Sequence, residues 1–408
     1  MGIIDSGDTA WLLFASALVL MMTPALAFFY GGMVRKKNVL STLNLSFIMM
    51  GLIGVQWILV GYTLAFGNST GGLFGSFKFA GFAGVGALPS ITYAPTVPHV
   101  SFAGYQMMVA IITPALITGA FVERVRFKTF LVFSLLWATF VYDPVAHWVW
   151  GAGGWLRELG VLDFAGGTVV HMLAGFAALA FAMVIGARKG YGETPMEPSN
   201  IPYTVLGAGL LWMGWFGFNG GSALAANGVA ANSLVTTNSA AAAACLVWMV
   251  CSWLVDKKPS VLGIVTAAIV GLVSITPAAA YVAPWAALII GGVAAAIAFF
   301  AIRLRQKTKL DESLDVFACH GLGGAWGILA TGLFASTAVN EAGANGLFYG
   351  NPKQLAIQLA ALGAVMVFSF VVTYVIARIL DKLMGLRVTA KEEEVGLDIS
   401  EHGERAYT

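Results

Sequence analysis

The stretch WLLFASALVLMMTPALAFFYGG, from Trp11 to Gly32, is the first of many uncharged apolar runs in this chain. A bilayer core about 30 Å thick is crossed by an α-helix of roughly 20 apolar residues. This run has that length and contains no Asp, Glu, Lys or Arg. It therefore predicts a membrane-spanning helix, and the fold class follows from how often such runs recur.

Apolar runs recur along almost the whole chain of 408 residues, which is 59% hydrophobic and only 10% charged. Soluble domains carry about 25% charged residues. The runs are continuous, unlike the alternating segments of roughly 10 residues that build β-barrels. We predict an all-α polytopic membrane protein with eleven transmembrane helices: Trp11 to Gly32, Leu43 to Phe66, Phe102 to Val122, Thr129 to Trp150, Thr168 to Gly186, Tyr203 to Ala226, Leu234 to Val255, Val261 to Ala280, Trp285 to Ile302, Val316 to Phe334 and Leu355 to Leu380.

The distribution of basic residues predicts the orientation in the cell membrane. With eleven spans, 19 of the 22 lysines and arginines fall on one side, and the other side receives only Lys78, Arg157 and Lys353. Basic residues concentrate on the cytoplasmic side of membrane proteins. The N-terminus is therefore expected outside and the C-terminus in the cytoplasm. The net charge of +2 reflects these flanks and gives no indication of nucleic-acid binding.

The order of the helices suggests two halves of five, inverted relative to each other, followed by a final helix. Each half ends in a helix with one histidine, and His171 and His320 lie eight residues after Asp163 and Glu312. Eight residues rise about 12 Å, close to half of a 30 Å core. Substrate sites of inverted repeats lie near the midplane, so both imidazoles are expected there. Residues 1–385 form the predicted membrane domain, and residues 386–408 a cytoplasmic tail.

Two histidines at matched depth among glycines and alanines favour a functional pair in a narrow pore. Ionisable residues inside spans usually face a cavity or a pathway, and imidazole both donates and accepts hydrogen bonds. Ammonia, water and protons are all compatible with such a pore. The alternative is that each histidine is a structural hydrogen-bonding residue.

Aromatic residues form a second cluster, predicted at the outer mouth. Trp148, Trp150 and Trp155 lie close together, and WMGWFGFNGGS runs from Trp212 to Ser222. An aromatic face can bind a desolvated cation with on the order of 2 kcal/mol, and the hydroxyl of Ser222 can accept a hydrogen bond from it. The alternative is an ordinary aromatic belt at the membrane interface.

Several motifs in this chain resemble the Amt/Mep/Rh ammonium transporter family, in particular its bacterial and archaeal Amt branch. They occur in family order over nearly the whole length. The stretches are FFYGGMVRKKNVLS from Phe28, ITPALITGAFVERVRF from Ile112, AHWVWGAGG from Ala146, LDFAGGTVVHMLAG from Leu162, GWFGFNGGSA from Gly214, DVFACHGLGGAWG from Asp315 and GLDISEHGERAY from Gly396.

This resemblance implies a homotrimer whose subunits each contain eleven helices and a pore. It also implies that His171 and His320 are the family's hydrogen-bonded twin histidines. Trp150 and Ser222 match the outer ammonium recruitment site, and Phe218 matches one of two stacked phenylalanines below it.

Three further positions are informative by the same resemblance. Asp163 matches a carboxylate that supports the recruitment site, which we interpret as a helix cap rather than a direct ligand. Tyr105 matches the aromatic that precedes the second gate phenylalanine by four residues, but Val109 occupies the gate position itself. Asp143 departs from the apolar residue expected inside a span, and is explained either as a partner of a backbone donor freed beside Pro144 or as a second polar site.

The expected partners are ammonium or ammonia, the lipid bilayer, the other subunits of a homotrimer and, by resemblance, a PII-type signalling protein at the cytoplasmic tail. We expect a transporter and not an enzyme, with no cofactor. Three alternatives remain: an ammonium sensor without net flux, a membrane protein in which the two histidines ligate haem, and a carbon dioxide or water pore.

Overall fold

The computed structural model describes residues 2–407, and this part of the chain is mostly α-helical. Ten of its helices are long and apolar enough to cross a membrane, and an eleventh apolar helix is shorter. The predicted all-α, multi-span fold class is confirmed. We label these helices α1 (Ser6–Met33), α2 (Lys36–Phe66), α3 (His99–Ala120), α4 (residues 127–150), α5 (Gly167–Ile185), α6 (Ile201–Gly221), α7 (Gly228–Asp256), α8 (Val261–Ile275), α9 (Pro284–Gln306), α10 (Phe317–Phe334) and α11 (Pro352–Met384).

Helix α8 ends earlier than the apolar run predicts. The run continues to Ala280, but the helix stops at Ile275 and the chain continues in buried turns. Pro277 has no backbone N–H with which to extend the helical ladder. Its carbonyl accepts a hydrogen bond from the backbone N–H of Phe164 at 3.1 Å. The early end of α8 therefore supports the segment that leads into α5.

The long segment between α2 and α3 folds into two short hairpins. Strands Ser69–Thr70 and Phe74–Gly75 pair in the first hairpin, and Pro89–Ser90 and Ala94–Pro98 in the second. The first hairpin contacts the end of α4, since the indole of Trp148 donates to the carbonyl of Leu73 at 2.8 Å. A short helix, Trp155–Leu159, follows α4. The hairpins fix the end of α4, where Trp150 lies.

Four of the membrane helices contain a π turn, a widening of the helix that occurs frequently at functional sites. The turns lie at Trp57–Gly61 in α2, Ala138–Tyr142 in α4, Gly167–Met172 in α5 and Phe317–Leu322 in α10. The last two carry the two histidines. The π turns therefore coincide with the positions that the sequence singled out in α5 and α10.

The π turns of α2 and α4 adjoin a buried polar pair. Gln56 precedes one turn and Asp143 follows the other, and the Gln56 side-chain amide donates to Asp143 Oδ2 at 2.8 Å. Of the two explanations for Asp143, this contact gives it a side-chain partner on another helix. It does not involve a backbone donor freed beside Pro144.

The tail packs against the beginnings of membrane helices in the same chain. It forms two short helices, α12 (Ala390–Val395) and α13 (Leu397–His402). Asp398 Oδ1 accepts from the N–H of Ser41 at 2.8 Å, and Glu401 Oε2 accepts from the N–H of Phe127 at 3.0 Å. Carboxylates stabilise helix N-termini because free N–H groups and the helix dipole are there. The tail thus supplies caps to α2 and α4.

A buried ionic network joins the loops at the same end of the bundle. Glu123 Oε1 lies 3.0 Å from Arg35 Nε, and Glu123 Oε2 lies 2.7 Å from Arg188 Nη1. Arg188 also contacts Asp311 Oδ1 at 2.8 Å. Burial alone would raise the pKa of Glu123, but Arg188 and Arg35 outweigh it and hold that pKa below its usual value. Arg188 likewise helps to lower the pKa of Asp311 against its burial.

Glu123→Gln is expected to lower stability by about 2 to 4 kcal/mol at neutral pH, because it removes the charge partner of the partly buried Arg35 and one of the two partners of the buried Arg188. The depressed pKa of Glu123 means that its contribution is present above the unfolded value of about 4.3 and is lost as pH falls through the folded value. Thermal unfolding of the purified protein in detergent, followed from neutral pH to about pH 3, measures both effects. The exposed tail residue Glu404 provides the control, Glu404→Gln. Equal midpoints for the two variants would contradict a stabilising network.

Candidate functional site

The two histidines meet in the interior of the bundle. Nδ1 of His171 and Nδ1 of His320 are 3.3 Å apart, and the side chains are hydrogen-bonded to each other. The two residues are 1% and 3% exposed. The two residues come from helices that are distant in sequence, and the structure places them side by side, as the sequence analysis expected. The separation leaves no room between the rings for a haem, which removes the bis-histidine alternative.

Close contact between α5 and α10 sets the distance between the imidazoles. Gly175 lies one turn beyond His171, and a Cβ atom there would stand 2.1 Å from the backbone nitrogen of Gly321. No real Cβ makes so short a contact with backbone. Small residues permit such an approach of membrane helices, so the glycines seen in the sequence have a geometric function.

A small, mostly apolar cavity adjoins the two rings. About 10 Å³ is open to the centre of a water-sized sphere, roughly the space that one water molecule requires. Besides the histidines, the walls are Met22, Leu26, Ile112, Leu116, Val170, Leu211, Trp215, Phe218 and Ile269. We call this the central cavity. It admits one small molecule and offers little but imidazole for polar contact.

Trp215 holds the ring of His171 in place, and the sequence analysis did not single it out. The two rings stack with centroids 5.2 Å apart and planes 25° apart. The Trp215 indole donates to Thr276 Oγ1 at 2.9 Å, which fixes its orientation. His171 Nε2 has no protein partner within residues 2–407. The Trp-His contact could not be read from the sequence, because Trp215 lies in a run of four aromatics that share no single face.

A wider cavity of about 540 Å³ opens on one side of the central cavity. Its walls include Trp150, Ser222, Val109 and Asp163, so the structure brings these four predicted site residues together. We call this cavity the aromatic vestibule. Phe218 lies in the wall of the central cavity instead, 5.9 Å from the His171 ring between centroids.

Asp163 caps the start of α5 with its carboxylate. Its two oxygens accept from the N–H groups of Gly166, Gly167 and Thr168 at 2.7 to 2.9 Å, and from the Thr168 hydroxyl. Its backbone carbonyl accepts from the Trp150 indole at 2.9 Å. Burial raises the pKa of Asp163, and these hydrogen bonds oppose the rise. The residue therefore positions Trp150 and the start of α5 together.

Tyr105 is buried and contacts Ser222, a wall residue of the aromatic vestibule, through its hydroxyl. That hydroxyl donates to the carbonyl of Phe218 at 2.6 Å and lies 3.1 Å from Ser222 Oγ. Ser222 Oγ is also 2.9 Å from the same carbonyl. Tyr105 therefore fixes Ser222 and Phe218, and Val109 is the residue of this pair that lines the vestibule.

A third cavity, about 940 Å³, lies on the other side of the histidines. His320 and Ile269 line both it and the central cavity. Charged residues are prominent in its walls, among them Arg188, Arg305 and Asp315, and we call it the ionic vestibule. The segment before α5 lines the aromatic vestibule and the segment before α10 lines the ionic one. The two histidine helices thus enter from opposite ends, as an inverted arrangement requires.

These cavities define the class of protein: a polytopic membrane protein with an interrupted, narrow and mostly apolar pathway, suited to one small solute at a time. The model of the Ammonium Transporter Family matches residues 10–407. The chain is 51% identical over 404 residues to the ammonium transporter of Bacillus subtilis, covering 98% of each. It is 49% identical to ammonium transporter Amt1 of Archaeoglobus fulgidus, covering 99% of this chain and all of that protein.

Solved structures show the same similarity. The crystal structure of Candida albicans Mep2 superposes with a TM-score of 0.91 at 39% identity, over 99% of this chain and 91% of that one. A sensor Amt protein gives a TM-score of 0.90 at 30% identity, over 97% and 98%. The chain belongs to the ammonium transporter family, as the motifs predicted.

Gly175→Ala is expected to lower stability by about 1 to 3 kcal/mol, because the new methyl group forces α5 and α10 apart. The matched control is Gly363→Ala in α11, where a Cβ meets nothing within 4 Å. Thermal unfolding in detergent compares the two. A Gly175→Ala variant as stable as its control would show that helix contact at this point does not position the histidines.

Proposed function

We propose that this protein carries ammonium across the cell membrane by passing ammonia through the central cavity. The observation that carries the proposal is the hydrogen bond between His171 and His320, which places one polar group of variable donor and acceptor character inside an apolar constriction. Desolvation opposes the entry of an ion into such a constriction, whereas a small neutral molecule loses little hydration free energy on entry. The function is transport and not catalysis by an enzyme.

Recruitment of ammonium takes place in the aromatic vestibule. The Trp150 ring provides a π face for a cation, and Ser222 Oγ provides an acceptor. The cation gives up a proton to water in this vestibule, and ammonia passes between Phe218 and Val109 to the histidines. Phe218 lines the cavity below and Val109 the vestibule above, which supports a boundary between the wet and the apolar parts of the path.

The aromatic vestibule faces the outside and the ionic vestibule the cytoplasm. The excess of basic residues at the end that carries the tail supports this orientation. Exposed apolar side chains along α7, including Leu246, Val250 and Leu254, support contact with lipid or with other subunits of a homotrimer. Residues 1–385 form the transport domain, and residues 386–408 a regulatory tail that is a docking surface for a PII-type protein.

A second candidate is an ammonium sensor with binding but no net flux. The observation that supports this candidate is the structural similarity of the chain to a solved sensor Amt protein. Flux measurements separate the two, since only a transporter moves ammonia or charge across a sealed vesicle. Current recording further separates electrogenic transport from electroneutral ammonia passage.

His171→Ala and His320→Ala are each expected to reduce ammonium-driven flux about tenfold or more. Each removes the polar contact in the central cavity and leaves the partner imidazole without its hydrogen bond, at a cost of about 1 to 3 kcal/mol. The double variant should lose little more than either single variant, because the pair acts as one unit. The measurement is flux and current in proteoliposomes after an ammonium jump.

Assembly and unfolding temperature of each variant serve as controls for folding. His171→Asp and His320→Glu extend the series, since a fixed carboxylate stabilises any monovalent cation and should weaken the exclusion of potassium. Full and selective ammonium flux in a folded double-alanine variant would refute a functional role of the pair.

Val109→Phe is expected to narrow the boundary between the aromatic vestibule and the central cavity without abolishing flux. The added ring volume enters a position that lines the vestibule. Rates for ammonium and for the bulkier methylammonium measure the effect, and methylammonium should be slowed more. Unchanged rates for both substrates would show that Val109 lies off the path.

A further inference from the structure

Gln106 lies in the aromatic vestibule beside the proposed recruitment site. On α3 it shares a face with Phe102, four residues before it, and Val109, three residues after it. All three line the cavity, together with Trp150 and Ser222. A glutamine on this face is conspicuous, because the remainder of the helix from Met107 to Ile112 is apolar.

The side-chain amide of Gln106 makes no hydrogen bond to the protein within residues 2–407, and its Oε1 is buried without a partner. Buried polar atoms are normally hydrogen-bonded, because an unpaired one loses its hydrogen bonds with water and gains none in the protein. Gln354 lines the same cavity, but its amide donates to the carbonyl of Gly160 at 3.1 Å and to Gln358 Oε1 at 3.3 Å. The two glutamines therefore differ: one is engaged with the protein and the other is not.

The side-chain amide of Gln106 can rotate without breaking a hydrogen bond to the protein. Half a rotation about its last side-chain bond exchanges Oε1 and Nε2, and no protein contact favours either position. A cation in the vestibule favours the orientation that presents Oε1. Carbonyl oxygens accept hydrogen bonds from charged donors more strongly than from neutral ones.

Other acceptors in the vestibule leave ammonium short of partners. The carboxylate of Asp163 is already occupied by Gly166, Gly167 and Thr168. The Ser222 hydroxyl donates to the Phe218 carbonyl, and its oxygen supplies a single acceptor atom for ammonium. Ammonium has four N–H donors, and the π face of Trp150 satisfies at most part of this set.

We propose that Gln106 is a further specificity-determining residue, whose side-chain carbonyl accepts a hydrogen bond from ammonium in the aromatic vestibule. The inference rests on the proposed function, and it adds the basis for discrimination against potassium. Potassium has the same charge as ammonium but donates no hydrogen bond. A carbonyl oxygen also attracts potassium through its dipole, but only ammonium adds a directional N–H hydrogen bond to it, which a π face alone does not provide.

The test compares Gln106→Leu, which removes the acceptor at similar volume, with Gln106→Glu, which keeps an oxygen and removes the donor. Binding of ammonium to the purified protein is measured by calorimetry, and the half-saturating concentration by current in proteoliposomes. Gln106→Leu should weaken both by about tenfold and leave the maximal current within about twofold. It should also narrow the preference for ammonium over methylammonium, which has one N–H donor fewer.

Gln106→Glu should retain ammonium binding and make potassium an effective competitor, because a carboxylate attracts any monovalent cation. Met107→Leu, a volume-conserving change at the adjacent position, should leave both constants unchanged. Wild-type ammonium binding in folded Gln106→Leu would overturn the proposal. Equal losses in the Glu and Leu variants would also overturn it, since they would indicate that the amide acts as a donor or as packing.

The two measurements separate this proposal from the proposed function. If ammonium binding depends on Gln106 but the wild-type protein shows no flux, the acceptor role of Gln106 is supported and the proposed transport is refuted. If the wild-type protein shows flux but binding is insensitive to Gln106→Leu, transport is supported and the acceptor role is refuted. If Gln106→Leu fails to fold, Gln106→Met removes the oxygen with an unbranched side chain of similar length, and the same comparison with Gln106→Glu applies.

Discussion

The structure depends on one constraint, which is that a polar side chain in the middle of an apolar bundle must find its partner inside the protein. His171 and His320 satisfy this constraint for each other. Their 3.3 Å contact requires α5 and α10 to approach as closely as Gly175 and Gly321 allow. Both histidines also lie in π turns, where the helix is wider than an α-helix. The close approach of α5 and α10 and the small residues between them are thus consequences of a single contact.

The acidic residues that precede the histidines accept hydrogen bonds from the N-termini of their helices. Asp163 accepts the first N–H groups of α5, and Glu312 accepts those of Val316 and Phe317 at the start of α10, at 2.6 and 3.1 Å. Burial is the main reason why the pKa of Glu312 is raised. Each carboxylate lies eight residues before its histidine, one at each end of the path. A pathway that must pass a cation on benefits from this arrangement, because a free carboxylate at either mouth would hold the cation.

Features with a local signal in the sequence could be predicted, and features that depend on distant contacts could not. Apolar length predicted the spans, and the equal spacing from Asp163 to His171 and from Glu312 to His320 predicted that the two imidazoles lie at the same level of the bundle, where they meet. The early end of α8 was missed because Pro277 lies within an uninterrupted apolar run. The partner of Asp143 could not be inferred, since Gln56 is 87 residues away and on another helix. Gln106 carried a usable signal, a polar residue three positions before Val109, but only the shape of the vestibule shows that its amide has no protein partner.

Charge is distributed along the path so that it increases beyond the histidines. The aromatic vestibule contains neutral acceptors, the Arg157 guanidinium and a carboxylate already occupied by backbone, and the central cavity contains no acidic or basic wall residue except the imidazoles within residues 2–407. Beyond His320, Arg305 and Asp315 face each other at 2.7 Å in the wall of the ionic vestibule. On the function proposed above, a cation entering from the aromatic side meets dipoles and π faces, which favour reversible binding. The one carboxylate in this wall within residues 2–407, that of Asp163, already accepts hydrogen bonds from the start of α5, so it does little to offset the desolvation needed to reach the constriction. In that proposal, transfer of a proton is the less costly way for the nitrogen to proceed, and the imidazole pair is then the first polar group that the neutral molecule can use.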